Sequence, residues 1–555
     1  MSLKANLYYD VSKDQIVGFH QVDGKEYKPA NNVLTIMARG IFDNWKQALA
    51  YVFVNTQCNA RELQALLCAV INKLYAIGLQ VKAVISDLGT NFQQVAASLN
   101  VTPETPYFYC KGICTDRIFY IFDVCHLIKA LRNNFLKYRF RLDNGQIIDH
   151  VFVRAFFEHD QKRTFKFAPK LQSVHISPGQ FDKMKVKFAT QLFSHTVASG
   201  METEMSLGLL STAALATITF ISNVNNLFDI LNSTTLVTNV ESFKSAFVGS
   251  ELQKNHLEKM LHFFKTTAVV DDRNADVTRR IKSMACWQVT IKGVMQLHGS
   301  LSQPLPTRRL NQDFLENFFG TVRKQSGNCI NPTPIQFVWA FRKLFCTKFL
   351  LPPTTGNCMP DLATVLTALD SGPLKSKKII NVIDTSATLD QRLQVDSTDY
   401  RSLELPEQNI LRNISGYLMQ KCLQRHSCTS CEQYAQACQT ISEDTLFCHY
   451  KNLDESSDFG NLTMPATNFV YYIAQLEHQF SNGLFERYST GARVGFQILT
   501  ELSKIPFSHP CKNFPLDYVR GLFVRMRLFL CVKSHNTLQK TKSKKERRLI
   551  IFSHL

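Results

Sequence analysis

Asp87 follows the apolar run Val81–Ile85 and opens the string Asp87-Leu88-Gly89-Thr90-Asn91. A carboxylate at the carboxyl end of a central strand sits where α/β sheets hold ligands. It can bind Mg²⁺ there, with water completing the octahedron, and a turn or helix N-cap uses the same residue in the same place. Asp313 and Glu316 lie three apart in Asn311–Gln325 (NQDFLENFFGTVRKQ) and share one face of a predicted helix. Phe314, Leu315, Phe318 and Phe319 surround them with apolar surface. A carboxylate in such company is costly to bury unless a metal or hydrogen bonds compensate it, although the macrodipole also favours an acid near a helix start. Lys170, Lys185 and Ser194 are of types that contact phosphate. Phe228, Asp229 and Asn232 are of types that stack on and hydrogen-bond a purine. Solvated lysines and a helix end account for the same residues. No GxxxxGK[ST] or GxGxxG string occurs, so a nucleotide site here is neither a P-loop nor a Rossmann one. Cys428-x-x-Cys431, with Cys422 and His426 before it, has zinc-ligand character. No second CxxC or HxxxH pairs with it, and free thiols in a helical region are the simpler reading.

The elements that must position these residues follow from periodicity. Val33–Phe42 and Ala48–Asn55 read as a strand hairpin. Arg61–Ile77 has helical spacing, and Gly78 stops it. Val81–Ile85 and Arg117–Val124 read as strands, and His126–Tyr138 as a basic helix. The order β-β-α-β-β-α implies an α/β layer with a mixed sheet. From about 145 to 305 strand runs vanish and helices dominate, with Lys183–Val197 and Ser211–Asn232 the clearest. Residues 350–405 are rich in Pro, Ser, Thr and Asp and read as a linker. A mostly helical region follows from 406 to 555.

The chain has 555 residues, 45% hydrophobic and 19% charged, which is ordinary for a globular protein and excludes wholesale disorder. Its net charge is +18, which suggests a polyanion partner, nucleic acid ahead of a membrane surface. No window of about 18 apolar residues stands out, and no signal peptide opens the sequence. The 16 cysteines form no disulfide framework. Residues 517–555 carry ten Lys and Arg against two acids, the composition of a phosphate-binding arm.

In order along the chain, MSLKANLYYD, FDNWKQALAYVF, VISDLGTNF, IFDVCHLIKALRNNF, KMKVKFATQLFSHTVAS, LFDILNS, NQDFLENFFGTVRKQSG, NPTPIQFVWAFRKLF and ISGYLMQKCLQ resemble the P element transposases and the related THAP-domain transposases. The resemblance implies an RNase H-like mixed sheet interrupted by a large helical GTP-binding insertion, followed by a helical C-terminal domain. It sets the domains at 1–144 and 306–349 (RNase H-like, first strand missing), 145–305 (insertion), 350–405 (linker) and 406–555 (C-terminal domain with basic tail). It also implies DDE-type DNA cutting and joining by two-metal chemistry.

Under that resemblance Asp87 matches the second catalytic Asp and Glu316 the Glu, both Mg²⁺ ligands. The first Asp belongs to an Asp-Glu-Met tripeptide that ends the first strand, and here Met1 falls at its Met. The family's zinc-binding THAP domain and coiled coil are likewise not in the sequence. The chain as written is therefore expected to be inactive, with a domesticated, non-catalytic GTP- and DNA-binding protein as the alternative. The resemblance places Phe228, Asp229 and Asn232 on the purine of GTP, Lys170, Lys185, Val186 and Ser194 on the phosphate side, and Asp313 facing the nucleotide. GTP is then an assembly cofactor. Lys129, Arg132 and Lys137, with Lys544, Lys545, Arg547 and Arg548 in the tail, are candidates for tracking DNA phosphates. The implied partners are transposon-end and target DNA, GTP and further copies of the chain assembled on DNA, in the nucleus, with no membrane.

Overall fold

The computed structural model describes residues 1–10, 15–21, 28–56, 58–110, 116–163, 165–234, 243–301, 303–346, 364–365, 397–438, 440–452, 458–488 and 493–531. The basic tail residues Lys544, Lys545, Arg547 and Arg548, and nearly all of the predicted linker, lie outside them. Two compact units form. One holds 1–154, 170–198 and 213–374; the other holds 155–169, 199–212 and 375–555.

In the first unit a hairpin, β1 (Tyr8–Asp10) and β2 (Gln15–Val17), precedes the antiparallel pair β3 (Asn32–Arg39) and β4 (Trp45–Val54). The register runs from Asn32↔Val54 to Arg39↔Lys46, with an irregularity between Ile36 and Met37. Helix α1 (Ala60–Ala76) begins where Asn59 Oδ1 accepts the Glu62 N–H at 3.1 Å. It ends at Gly78, whose φ of +86° only glycine adopts freely. Next come β5 (Ala83–Ser86), α2 (Thr90–Ser98), β6 (Tyr107–Phe108), β7 (Ile118–Phe122) and α3 (Val124–Phe135). β7 pairs parallel with β5 and antiparallel with β6, and all five of its residues are buried. A strand covered on both faces reads as a continuous apolar run, which IFYIF does.

β3 ends the sheet β11-β4-β3, where β11 (Thr364–Val365) comes from late in the chain, and β5 ends the sheet β5-β7-β6. Between these two edges lies a cavity of about 1360 Å³. Val33–Arg39 line one wall and Val81–Asp87 the other, with Leu63, Leu67 and Ile71 of α1 beneath. Met1–Leu3 enter beside it, pairing antiparallel with β3 through Ser2↔Asn32 and the Val33 N–H to Met1 carbonyl bond of 2.9 Å.

The region after α3 is not free of strands. β8 (Arg139–Arg141) pairs with β9 (Ile147–Ile148) and with β10 (Ala268–Val270), strands of two and three residues that no periodicity reveals. The helices are α4 (His150–Lys162), α5 (Ser173–Ile176), α6 (Val186–Leu192), α7 (His195–Ser206), α8 (Leu215–Leu231), α9 (Glu251–Thr266) and α10 (Ser283–Ser300). The single helix expected over 183–197 is two, because Ser194 accepts the Val197 N–H at 3.4 Å and starts a new helix. Residues 212–231 are long and apolar enough to cross a membrane by composition, with mean hydropathy 1.2, but 56% of that stretch is buried inside the fold, as in a core helix. α10 docks on β7. The Thr290 hydroxyl accepts the Phe122 N–H at 3.0 Å and donates back to its carbonyl, and at Gly293 a Cβ would stand 3.3 Å from the Tyr120 carbonyl oxygen. α11 (Asp313–Gln325) and α12 (Pro334–Cys346) return to the β3–β4 face, where Phe318, Val322, Phe337 and Phe341 pack with Val33, Ala48 and Phe53.

The second unit is helical: α13 (Thr398–Arg401), α14 (Leu405–Leu423), α15 (Thr429–Ala435), α16 (Leu446–Lys451), α17 (Thr467–Ser481), α18 (Leu484–Tyr488), α19 (Val494–Leu502) and α20 (516–531). Buried Glu477 pairs with Arg527 at 2.9 Å, and the guanidinium stacks over Phe165 and Phe480. Burying one of these charges without the other would be prohibitive.

Candidate functional site

Asp87 leaves the end of β5 half-buried, and its Oδ1 accepts the Gly89 N–H at 2.7 Å in the turn that leads into α2. Glu316 stands in the first turn of α11 with 39% of its side chain exposed. Both line the cavity between β3 and β5, as does His126.

Asp123 and His126 complete this corner, and the sequence reading did not single them out. Asp123 caps α3 from the end of β7 and is buried. Its Oδ1 accepts the Gln312 N–H at 3.2 Å, and its Oδ2 lies 2.5 Å from His126 Nδ1. His126 Nε2 lies 4.0 Å from Glu316 Oε1. Burial works against the imidazolium, but the Asp123 hydrogen bond and the charges of Asp123 and Glu316 outweigh it and hold the His126 pKa above its usual value. The signal was present in Asp123-x-x-His126 at a strand-to-helix junction, where a capping Asp and a first-turn His must meet.

The nucleotide candidates form two groups on helices that share α3 as a platform. Phe135 of α3 meets Phe193 at 5.7 Å and Phe220 of α8 at 5.5 Å. On one side, Val186 begins α6, Lys185 pairs with Asp182 at 3.0 Å, and Ser194 caps α7. Lys170 is exposed in a turn. On the other side, Phe228 and Asp229 are half-buried near the end of α8, and Asn232 is its C-cap. Asn225 ties the groups together, since its Oδ1 accepts the His195 N–H at 3.3 Å and its Nδ2 donates to Asp229 Oδ2 at 3.0 Å. Burial pushes the Asp229 carboxyl above its usual range, opposed by Lys244 and Asn225. Asn311 Nδ2 donates to Asn232 Oδ1 at 3.1 Å and to Asp313 Oδ2 at 3.3 Å. Burial first, then the charges of Asp123 and Glu316, raise the Asp313 carboxyl to about 6 against the pull of Arg308. The stretch Asn311-Gln312-Asp313 thus joins the end of α8 to the carboxylate corner.

Two sequence expectations fail. Arg132 cannot track DNA: it is 0% exposed, and its Nη2 donates to the carbonyls of Asp182 and Lys183 at 3.3 and 2.8 Å. On the same helix Lys129 is half-buried, and Lys137, in the turn just past its end, is exposed over the Tyr138 ring. Cys422 is buried in α14, where burial pushes its thiol up to about 12, and it is not among the donor atoms that converge. Cys428 and Cys431 do come together, with His426 and with Cys511, which local spacing could not reveal.

Three family models match the chain: TNP-like, RNase H N-terminal domain over residues 1–100; TNP-like, GTP-binding insertion domain over 125–246; and TNP-like, RNase H C-terminal domain over 309–342. The Drosophila melanogaster Transposable element P transposase is 26% identical over 559 residues, covering 99% of this chain and 68% of that protein. The Homo sapiens DNA transposase THAP9 is 33% identical over 248 residues, 42% of this chain and 27% of that protein. A solved structure, the Drosophila P element transposase strand transfer complex, matches with a TM-score of 0.55 and 28% identity over 62% of this chain and 74% of its own.

Proposed function

We propose that this chain, a relative of the P element and THAP-domain transposases with RNase H-like and GTP-binding insertion domains, is the GTP-binding core of a DDE-type DNA transposase acting in the nucleus. The observation that carries the reading is the convergence of Asp87 and Glu316 on one cavity beside the Asp123–His126 pair. Two carboxylates from separate elements, one exposed and one in a turn, are hard oxygen donors that suit Mg²⁺. Asp87 and Glu316 would hold the ions, which when bound activate a water or 3′-hydroxyl and stabilise the leaving oxygen. Asp123 orients His126, which stands beside Glu316 at the cavity with Nε2 4.0 Å from Glu316 Oε1.

In this reading the space between the β3 and β5 edges takes the first strand of the RNase H-like sheet, with the first catalytic Asp at its end. The pairing of Met1–Leu3 with β3 supports that placement, since a strand continuing from Met1 would run along Leu34–Arg39. Among the described residues no strand occupies the space. Residues 1–555 then supply two of three carboxylates, and they bind GTP and DNA without cutting.

GTP would lie across α8 and α6, Phe228 stacking on the base, Asp229 accepting from its N1–H and amino group, Asn232 and Asp313 alongside. Lys170, Lys185, Ser194 and the α6 start at Val186 would meet the phosphates. Titration of GTP and ATP against the full chain and Asp229→Ala tests this. A hydrogen bond to a charged acceptor is worth about 1.5–3 kcal/mol, so GTP should weaken roughly tenfold to a hundredfold and ATP little. Equal GTP affinity in the variant refutes the assignment.

A further inference from the structure

In the helical unit four side chains converge that play no part in the carboxylate or nucleotide sites. His426 follows the end of α14, Cys428 is the N-cap of α15, Cys431 is in its first turn, and Cys511 lies in the loop ahead of α20. One donor atom from each lies within 4.8 Å of all the others. Cys428 Sγ and Cys511 Sγ are 3.7 Å apart, and His426 Nε2 is 3.2 Å from Cys511 Sγ. A tetrahedral zinc with Zn–S of about 2.3 Å and Zn–N of about 2.0 Å sets its ligand atoms roughly 3.5–3.8 Å apart. Two of the cluster's edges are already close to those of such a tetrahedron, and the others lie within 4.8 Å. All three cysteines are free thiols.

We propose that His426, Cys428, Cys431 and Cys511 form a structural Zn²⁺ site of the Cys₃His type. Four protein donors close the tetrahedron and leave no position for a substrate or water, which is the mark of a structural rather than a catalytic ion. The surroundings hold the far ligand in place. The Cys511 N–H donates to His509 Nδ1 at 3.0 Å, and the His509 ring stacks on Phe514 at 3.9 Å and meets Tyr434 of α15 edge-on at 4.3 Å. The ion would pin the loop before α20 to the α14–α15 corner, joining segments far apart in sequence. Cys422, Cys438 and Cys448 are outside the set. Cys422 is buried on α14, and the other two pack with Phe459 and Met464.

The test is the metal content of the full-length chain, purified without added metal and dialysed, read by elemental mass spectrometry beside its Co²⁺-exchanged form. The expected result is about one zinc per chain and, with Co²⁺, the intense visible bands of a tetrahedral thiolate complex. Cys511→Ser should lower zinc retention at least about tenfold, whereas Cys422→Ser should leave it unchanged. Zinc-free native protein that binds no Co²⁺ in tetrahedral form overturns the proposal without any variant. Equal zinc loss in Cys422→Ser and Cys511→Ser overturns the ligand assignment.

Discussion

Arg132→Met separates a structural clamp from a DNA contact. The wild-type guanidinium is fully buried and donates to the carbonyls of Asp182 and Lys183 and to Asn133 Oδ1, so it fastens α3 to the turn that leads into Lys185 and Val186. Methionine keeps the stem and removes the donors. Hydrogen bonds from a charged group contribute about 1.5–3 kcal/mol each, and a carbonyl left buried without a partner costs about 1–3 kcal/mol. Relief of the buried charge offsets part of this, since burial already lowers the Arg132 pKa. The net expectation is a loss of roughly 2–4 kcal/mol in denaturant unfolding, with GTP binding weakened about tenfold because the phosphate-side turn loosens. The salt dependence of DNA binding should not change. Unfolding within about 0.5 kcal/mol of wild type, together with a DNA-binding salt slope reduced by about one phosphate contact, would refute the clamp.

Asp313→Asn should flatten the pH profile of stability. The folded carboxyl is raised to about 6 from an unfolded value near 3.8. Its contribution is therefore fully present below pH 3.8 and is lost as pH rises through 6, by up to about 3 kcal/mol at 1.36 kcal/mol per unit. Denaturant unfolding between pH 4.5 and 7.5 reads this, and an unaltered slope in the variant counts against it. Asn311→Ala cuts the link between Asn232 and Asp313, so it should cost about 1–3 kcal/mol and weaken GTP in the same titration; loss of neither contradicts the bridge. Lys137→Ala, at an exposed lysine, should leave stability within about 0.5 kcal/mol and reduce the DNA salt slope by about 1, and an unchanged slope removes that residue from the interface.

The parts legible in the sequence were those with long regular periods. The β3–β4 hairpin, α1, the β7–α3 junction and α11 lie within a few residues of where apolar spacing puts them. Short or non-local features were not legible. β8, β9 and β10 are too brief to show alternation, and they exist because neighbours pair with them. The periodicity of 183–197 runs through Phe193 and Ser194, so only the capping hydroxyl marks the break. Charge at helical spacing made Arg132 look solvated, yet α3 packs so closely on the turn at 182–184 that its guanidinium replaces solvent for two backbone carbonyls. Cys511 joins Cys428 and Cys431 only through the fold, whereas Cys422, nearer in sequence, faces the core.

The most direct test of the central claim is nicking of supercoiled plasmid in Mg²⁺ or Mn²⁺ with GTP, comparing residues 1–555 with the same chain extended ahead of Met1 by a strand ending in Asp-Glu. The account predicts no nicking by residues 1–555, nicking by the extended chain, and its loss in the extended chain carrying Glu316→Gln. Nicking by residues 1–555 that Glu316→Gln abolishes, or nicking by the extended chain that survives Glu316→Gln, would contradict it.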